Sequence, residues 1–162
     1  MLSFREVKKR VKIPGFHCHH IIPLEIIDKA AFRPLFRTMR ELGFDFDDFH
    51  QNGMYLPCTE ANAAAFRLPL HRGPHPVYNQ LVCERIAAFD RQGCSSQLFE
   101  MQQLQCALKA ALRKNELPLR KGSRNPFTSN ADFECMEIAA YRLCNLPPPH
   151  RRASGPAFSR TL

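Results

Sequence analysis

Leu98, Met101, Leu104, Leu108 and Leu112 stand three or four residues apart. That period places them on one face of an amphipathic helix. Ser95 or Ser96 suits its N-cap, and the helix is predicted to run to about Asn115. Val77, Leu81, Ile86 and Phe89 set a second such face, on a helix that opens near Pro76 and continues to about Asp90, before Gly93. Proline is tolerated in a first turn because its missing N–H would have no partner there. A further helical stretch follows Pro23, over Leu24 to Phe32, and another opens at Pro34 and runs to about Leu42. Gly43 fits the position just past that helix, where the chain commonly turns left-handed. A short helical piece is predicted over Glu60 to Phe66, and a last helix from about Ala131 to Cys144.

Strand signals are few. Residues 16 to 22 are β-like, with the β-branched Ile21 and Ile22 at the end. Asn52-Gly53 is a strong turn signal, and Met54 to Pro57 can follow it as a second short strand. The expected fold class is therefore α+β and predominantly helical. Four regions are expected: a basic arm or short helix over 1–15, broken by Pro14-Gly15; a core over 16–92; a helical extension over 93–145; and a disordered tail over 146–162, after Pro147-Pro148-Pro149. Residues 116 to 130 are basic and turn-rich.

Composition narrows the class. The 162 residues are 44% hydrophobic, enough for a real core. No apolar run approaches a membrane span, and no apolar h-region follows the basic N-terminus, so neither a span nor a secretory signal is expected. The seven cysteines are odd in number and form no Cys-x-x-Cys pair, which argues against a disulfide framework and a zinc ribbon and fits a reducing compartment. A net charge of +8 favours a polyanionic partner, nucleic acid ahead of an anionic membrane surface. The basic residues form two blocks: Arg5, Lys8, Lys9, Arg10 and Lys12, then Lys109, Arg113, Lys114, Arg120, Lys121 and Arg124. Either block can equally be a solvated face.

The chemistry concentrates in histidine. Residues 17 to 20 read His-Cys-His-His, and His71 and His75 follow in Leu-His-Arg-Gly-Pro-His-Pro. Imidazole is the commonest metal ligand among side chains and the usual base near neutral pH. Neighbours on a strand face opposite ways, so His19 and His20 are expected to do different jobs. His75 and Asn79 lie four apart at a helix start and can reach one ion. Asn52 can hold a base in orientation or touch the metal. A strand, a second strand and a helix that hold a metal between them are the parts of a ββα-metal nuclease. In that arrangement a single ion stabilises charge on a phosphate while a neutral imidazole takes a proton from water.

Three motifs occur in order: His19-His20-Ile21-Ile22-Pro23; Asn52-Gly53-Met54-Tyr55-Leu56-Pro57; and His71-Arg72-Gly73-Pro74-His75-Pro76-Val77-Tyr78-Asn79. Together they resemble the AHH nuclease family of the HNH, or His-Me finger, superfamily, over roughly residues 16 to 90. The resemblance implies a small ββα-metal core decorated by helices. It implies His20 as general base, with Asn52 as the central asparagine beside it. It implies one divalent ion (Mg, Mn, Zn or Ni) on His19 and at least one of His71 and His75, with His71 or Asn79 as the third ligand. The implied activity is a metal-dependent endonuclease of little sequence specificity, acting on DNA ahead of RNA, although a site that reads only phosphate serves either. Members of the family are typically bacterial toxin or effector domains. That implies a cognate immunity protein, a cytoplasmic location in the producing cell, and delivery by a route that needs no signal peptide. Cys18 stands where the family name has alanine, which opens a place for Cys18 or His17 as an added ligand.

Arg72, Tyr78, Lys109 and Arg113 are the candidate nucleic-acid contacts. Tyr78 can equally pack in the core. Phosphate contacts supply most non-specific affinity, so a basic face on the helix over 95–115 suits that role. His50 and His150 are read as structural. Asp45, Asp47 and Asp48 read as a capped helix start or solvated loop rather than a second metal site. The spacing His71-x-x-x-His75 matches a zincin protease, but Gly73 and Pro74 break any helix there and no Glu follows His71, which argues against that reading. The competing class is a metal-stabilised nucleic-acid-binding or interaction module without catalysis.

Overall fold

A computed structural model describes residues 2–90, 97–117 and 119. The chain opens with helix α1 (Phe4–Arg10). Ser3 and Glu6 make a capping box: Ser3 Oγ accepts from the Glu6 N–H at 3.2 Å, and the Ser3 N–H donates to the Glu6 carboxylate at 3.1 Å. The expected arm is thus a docked helix. Phe4 and Val7 are buried, and the backbone of Phe4 and Leu2 bonds that of Asp47 and Phe49.

Strands β1 (Phe16–His20) and β2 (Gly53–Pro57) pair antiparallel, with His19 opposite Met54 and His20 opposite Gly53. A two-stranded sheet is marginal in water unless helices cover it. Ile21 and Ile22, expected inside β1, lie just past it and are fully buried. The stretch after Pro23 divides into α2 (Leu24–Ile27) and a 3-10 turn (Ala30–Phe32), and α3 follows over Arg33–Glu41. Gly43 takes φ +90 beyond α3. The Phe44 N–H reaches the Met39 carbonyl and the Gly43 N–H the Arg40 carbonyl, the paired bonds of a Schellman end.

The Asn52-Gly53 pair is not the turn its composition suggests. Asn52 ends a short helix, α4 (Phe49–Asn52), capped by Asp48, and Gly53 begins β2 in extended backbone at φ −118. Glycine is needed there for space: a Cβ would stand 2.6 Å from the Phe49 carbonyl oxygen and against its ring. Helix α5 (Glu60–Phe66) forms as predicted, with Thr59 as its cap, and α6 (Pro76–Asp90) and α7 (Gln97–Arg113) follow. Helix α6 packs on α2 and α7.

One core joins these parts. Ile21, Ile22, Ile26, Phe36, Met39, Leu56, Val82 and Ile86 share it with Met101, Leu104, Leu108 and Leu112 of α7. The packing therefore does not divide at residues 92 and 93, where the sequence suggested a core and an extension. No helix among the described residues is long and apolar enough to cross a membrane. The Gly93 stop, the Ser95 or Ser96 cap, most of the 116–130 segment, the helix over 131–144 and the tail over 146–162 lie outside the described residues.

Candidate metal centre

Strand alternation separates the histidine doublet. His17 and His19 share one face of β1, and Cys18 and His20 share the other. His19 is 3% exposed. The loop after α5 brings His71 beside it, fixed by a bond from the His71 N–H to the Pro57 carbonyl at 2.7 Å. Gly73, at φ +70, turns the chain, and His75 sits immediately before Pro76 of α6. Its carbonyl accepts the Asn79 N–H at 2.9 Å, the first bond of that helix. The three rings converge, with centroids 4.8 Å apart for His19 and His71, 5.3 Å for His19 and His75, and 4.8 Å for His71 and His75.

One ring nitrogen from each of these histidines lies within 4.8 Å of the others. His19 Nδ1 and His71 Nε2 face each other at 3.1 Å. Two nitrogens each about 2.1 Å from one ion stand roughly 3.0–3.4 Å apart, so that spacing fits a shared cation. Buried nitrogens on all three rings, His19 Nε2, His71 Nδ1 and His75 Nδ1, find no hydrogen-bond partner among the described residues. On His19 and His71 these are the ring nitrogens opposite the pair that faces across 3.1 Å, so the fit to an ion rests on the facing pair and not on these orphans.

Electrostatics points the same way. Burial, then the charges of His71, His75 and His20, hold the His19 pKa well below its ordinary value. Burial first, then His75 and His17, lower His71 to about 4. His75 is lowered by burial, partly offset by a backbone bond with Leu119. All three rings are therefore neutral at pH 7 and offer lone pairs, which is the ligand form of histidine. The residues present fit a divalent ion. Asn79 Oδ1 is buried and unpaired, and its Nδ2 donates to the Glu25 carboxylate at 2.7 Å. Glu25 was not singled out from the sequence, because no spacing links it to the histidines.

His20 faces away from this cluster and stacks flat on Phe4, centroids 3.6 Å apart. Burial and then the charge of Lys8 lower its pKa to about 4, against an opposing pull from Asp47. Phe4 was also missed, since an aromatic residue in a basic segment reads as ordinary packing. Asn52 is fully buried, and its carboxamide is committed to backbone: Oδ1 accepts from the Ile22 N–H at 2.7 Å, and Nδ2 donates to the carbonyls of Ile22 and Phe46. It can hold the chain that carries His20, and it has no group left to touch a metal.

The remaining expectations divide. Tyr78 is 2% exposed, and its hydroxyl donates to the Ile21 carbonyl at 2.6 Å. Burial also pushes its pKa up. It is a strut between α6 and the end of β1, out of reach of a phosphate. Lys109 donates to the carbonyls of His50 and Gln51 at 2.9 and 2.6 Å, so it secures α4 instead of offering a free ammonium. Arg72 is exposed, with Nε donating to the Cys58 carbonyl, and Arg113 is exposed. Cys18 is on the face away from the cluster, which removes it as a ligand. The exposed His17 meets His71 edge-on at 5.9 Å between centroids. Asp48 caps α4 and Asp45 accepts from the Asp47 N–H, so this segment is the capped helix start expected.

Comparison with curated proteins and with solved structures gives no match. A family model does match residues 3–114: AHH, a nuclease family of the HNH/ENDO VII superfamily with conserved AHH. The match takes in α1 and α7 as well as the histidine motifs, and the name-giving triplet reads Cys18-His19-His20 here. The chain belongs to the AHH nuclease family.

Proposed function

We propose that this protein hydrolyses phosphodiester bonds in nucleic acid with one divalent ion held by His19, His71 and His75 and with His20 as general base. The supporting observation is the division across β1: three neutral, inward-facing imidazoles on one side, and on the other a fourth that belongs to no cluster. When bound, the ion supplies positive charge for the scissile phosphate and the leaving oxygen. Asn79 Oδ1 is the further protein oxygen available to it. A histidine-rich set suits Zn, Ni or Mn better than Mg.

His20 closes β1, so a phosphodiester laid across the strand end meets the cluster on one side and this ring on the other. The ring is neutral at pH 7 and can accept a proton from the attacking water. A phosphate brought beside it adds negative charge, which raises its pKa from about 4 back toward 6.5 and makes it a stronger base. Phe4 fixes the plane of the ring, and Asn52 fixes the backbone beyond it.

No base-reading element is among the roles proposed, so cleavage of little sequence specificity follows, with DNA the first substrate and RNA the second. A toxin or effector role, with a cognate immunity protein and delivery into a target cell, rests on the family resemblance. The test is incubation of the purified protein with plasmid DNA and with RNA, with and without chelator, beside His20→Ala. Metal-dependent degradation by the wild type, abolished by chelator and strongly reduced in His20→Ala, is expected. Equal degradation by both proteins would remove His20 as the base. Binding without cleavage under every ion would make the protein a binding module.

A further inference from the structure

We propose that a groove beside β1 seats the sugar-phosphate backbone of the nucleic-acid strand beside the scissile bond, with Lys8 and Lys12 holding its phosphates. This rests on the nuclease reading above and deepens it by locating the substrate. The groove encloses about 400 Å³ and is lined by Lys8, Val11, Lys12, His17, Cys18 and Tyr55, among others. Among the described residues β1 pairs only with β2. The lining of the groove takes in both faces of the strand: His17 comes from the face of the metal centre, and Cys18, with its cross-strand partner Tyr55, from the face of His20.

Its cations are held by structure. Phe4 of α1 stacks on His20, and Lys8 lies four residues on, along the same side of the helix. The chain leaving α1 is tied to the sheet by Tyr55, whose hydroxyl donates to the Val11 carbonyl at 2.9 Å, and Lys12 follows Val11 directly. At the other end His17 reaches the metal centre, its ring 5.9 Å from that of His71. One continuous surface therefore joins two exposed lysines, the neighbour of the base and the neighbour of the metal ligands. Arg10 belongs elsewhere, paired with Glu6 at 3.6 Å, and Lys9 does not line the groove.

Charge chooses this side of the centre over the other. The cavity beside Asn79 is larger, about 630 Å³, but Glu25 and Glu84 line it with Lys29. No carboxylate lines the groove at β1. A polyanion is drawn to the groove at β1 and repelled from the cavity beside Asn79.

The test compares Lys8→Ala/Lys12→Ala with Lys9→Ala, all on the full chain. Duplex affinity is measured across a salt series in the His20→Ala background, and kcat and KM in the active background. Each phosphate left without its lysine lowers the slope of log K against log salt by about 0.9, so the double variant should lose roughly 2. KM should rise by about ten-fold because the lysines hold the backbone, and kcat is compared across pH because removing the Lys8 charge also acts on His20. Lys9→Ala should change neither. An unchanged slope in the double variant overturns the groove, as does an equal loss in Lys9→Ala, which would reveal only general charge. A wild type that binds and cleaves no nucleic acid fails earlier and overturns the nuclease reading itself.

Discussion

His19 and His20 are neighbours in sequence and occupy opposite faces of β1, so substitutions at the two should fail differently. His20→Ala should leave metal stoichiometry intact and lower kcat by about 10²–10⁴-fold, the usual range for a removed general base. His19→Ala, like His71→Ala in the same cluster, should lose both the ion and the activity. Calorimetric titration with a divalent ion beside a cleavage assay separates them, and loss of metal binding in His20→Ala would contradict the division. The same depressed pKa values make stability depend on pH. In the folded chain His20 and His71 titrate near 4, against an ordinary 6.5. Between those limits the unfolded chain takes up protons that the folded chain refuses, so stability rises with pH through that window. The contribution is complete above pH 6.5 and is lost as pH falls toward about 4. With chelator present, Tm should drop steadily across that interval. A flat Tm would mean that the burial of these rings is relieved in solution.

At the scale of elements, helix α4 shows why composition misleads. Asn52-Gly53 reads as a hairpin turn, yet the pair joins a one-turn helix to a strand, because Asn52 Oδ1 and Nδ2 bond backbone that lies thirty residues earlier and Phe49 fills the space beside Gly53. The histidine motifs, the helix over 60–66 and the start of α6 were legible, since each depends on local spacing, caps or proline. Phe4 on His20, Glu25 on Asn79 and Lys109 on α4 were not, because they join segments far apart in sequence. Lys109 carries a prediction that separates the two kinds of reading. A phosphate contact would make Lys109→Ala weaken nucleic-acid binding. Its bonds to the His50 and Gln51 carbonyls predict instead a loss of roughly 1–3 kcal/mol of stability, with the salt slope of binding unchanged. Denaturant unfolding and binding across a salt series read the two quantities independently. A changed slope at unchanged stability would return Lys109 to the nucleic-acid face.

For the whole molecule, the question is whether the histidine motifs make a nuclease core by themselves. All of them lie before residue 80, and the sequence suggested a core that ends near residue 92. The packing argues otherwise. Met101, Leu104, Leu108 and Leu112 of α7 are each at most 1% exposed and join the same core as Ile21, Ile22 and Val82. Burying a side chain of this size contributes about 1.5–3 kcal/mol, so these four supply roughly 6–12 kcal/mol. That is comparable to the whole stability of an ordinary domain, about 5–15 kcal/mol. Helix α7 also reaches the site, since Gln105 and Lys109 both bond the Gln51 carbonyl, one residue before Asn52. Removing α7 would expose the apolar face of α6 and release the asparagine that holds the chain beyond His20. A chain cut after residue 92 should therefore unfold without a cooperative transition and bind no ion at the affinity of the full protein. Far-UV circular dichroism on heating and metal titration would show it. A sharp transition with full metal affinity in the shortened chain would place the independent folding unit where the motifs end, and would reduce α7 to a covering helix.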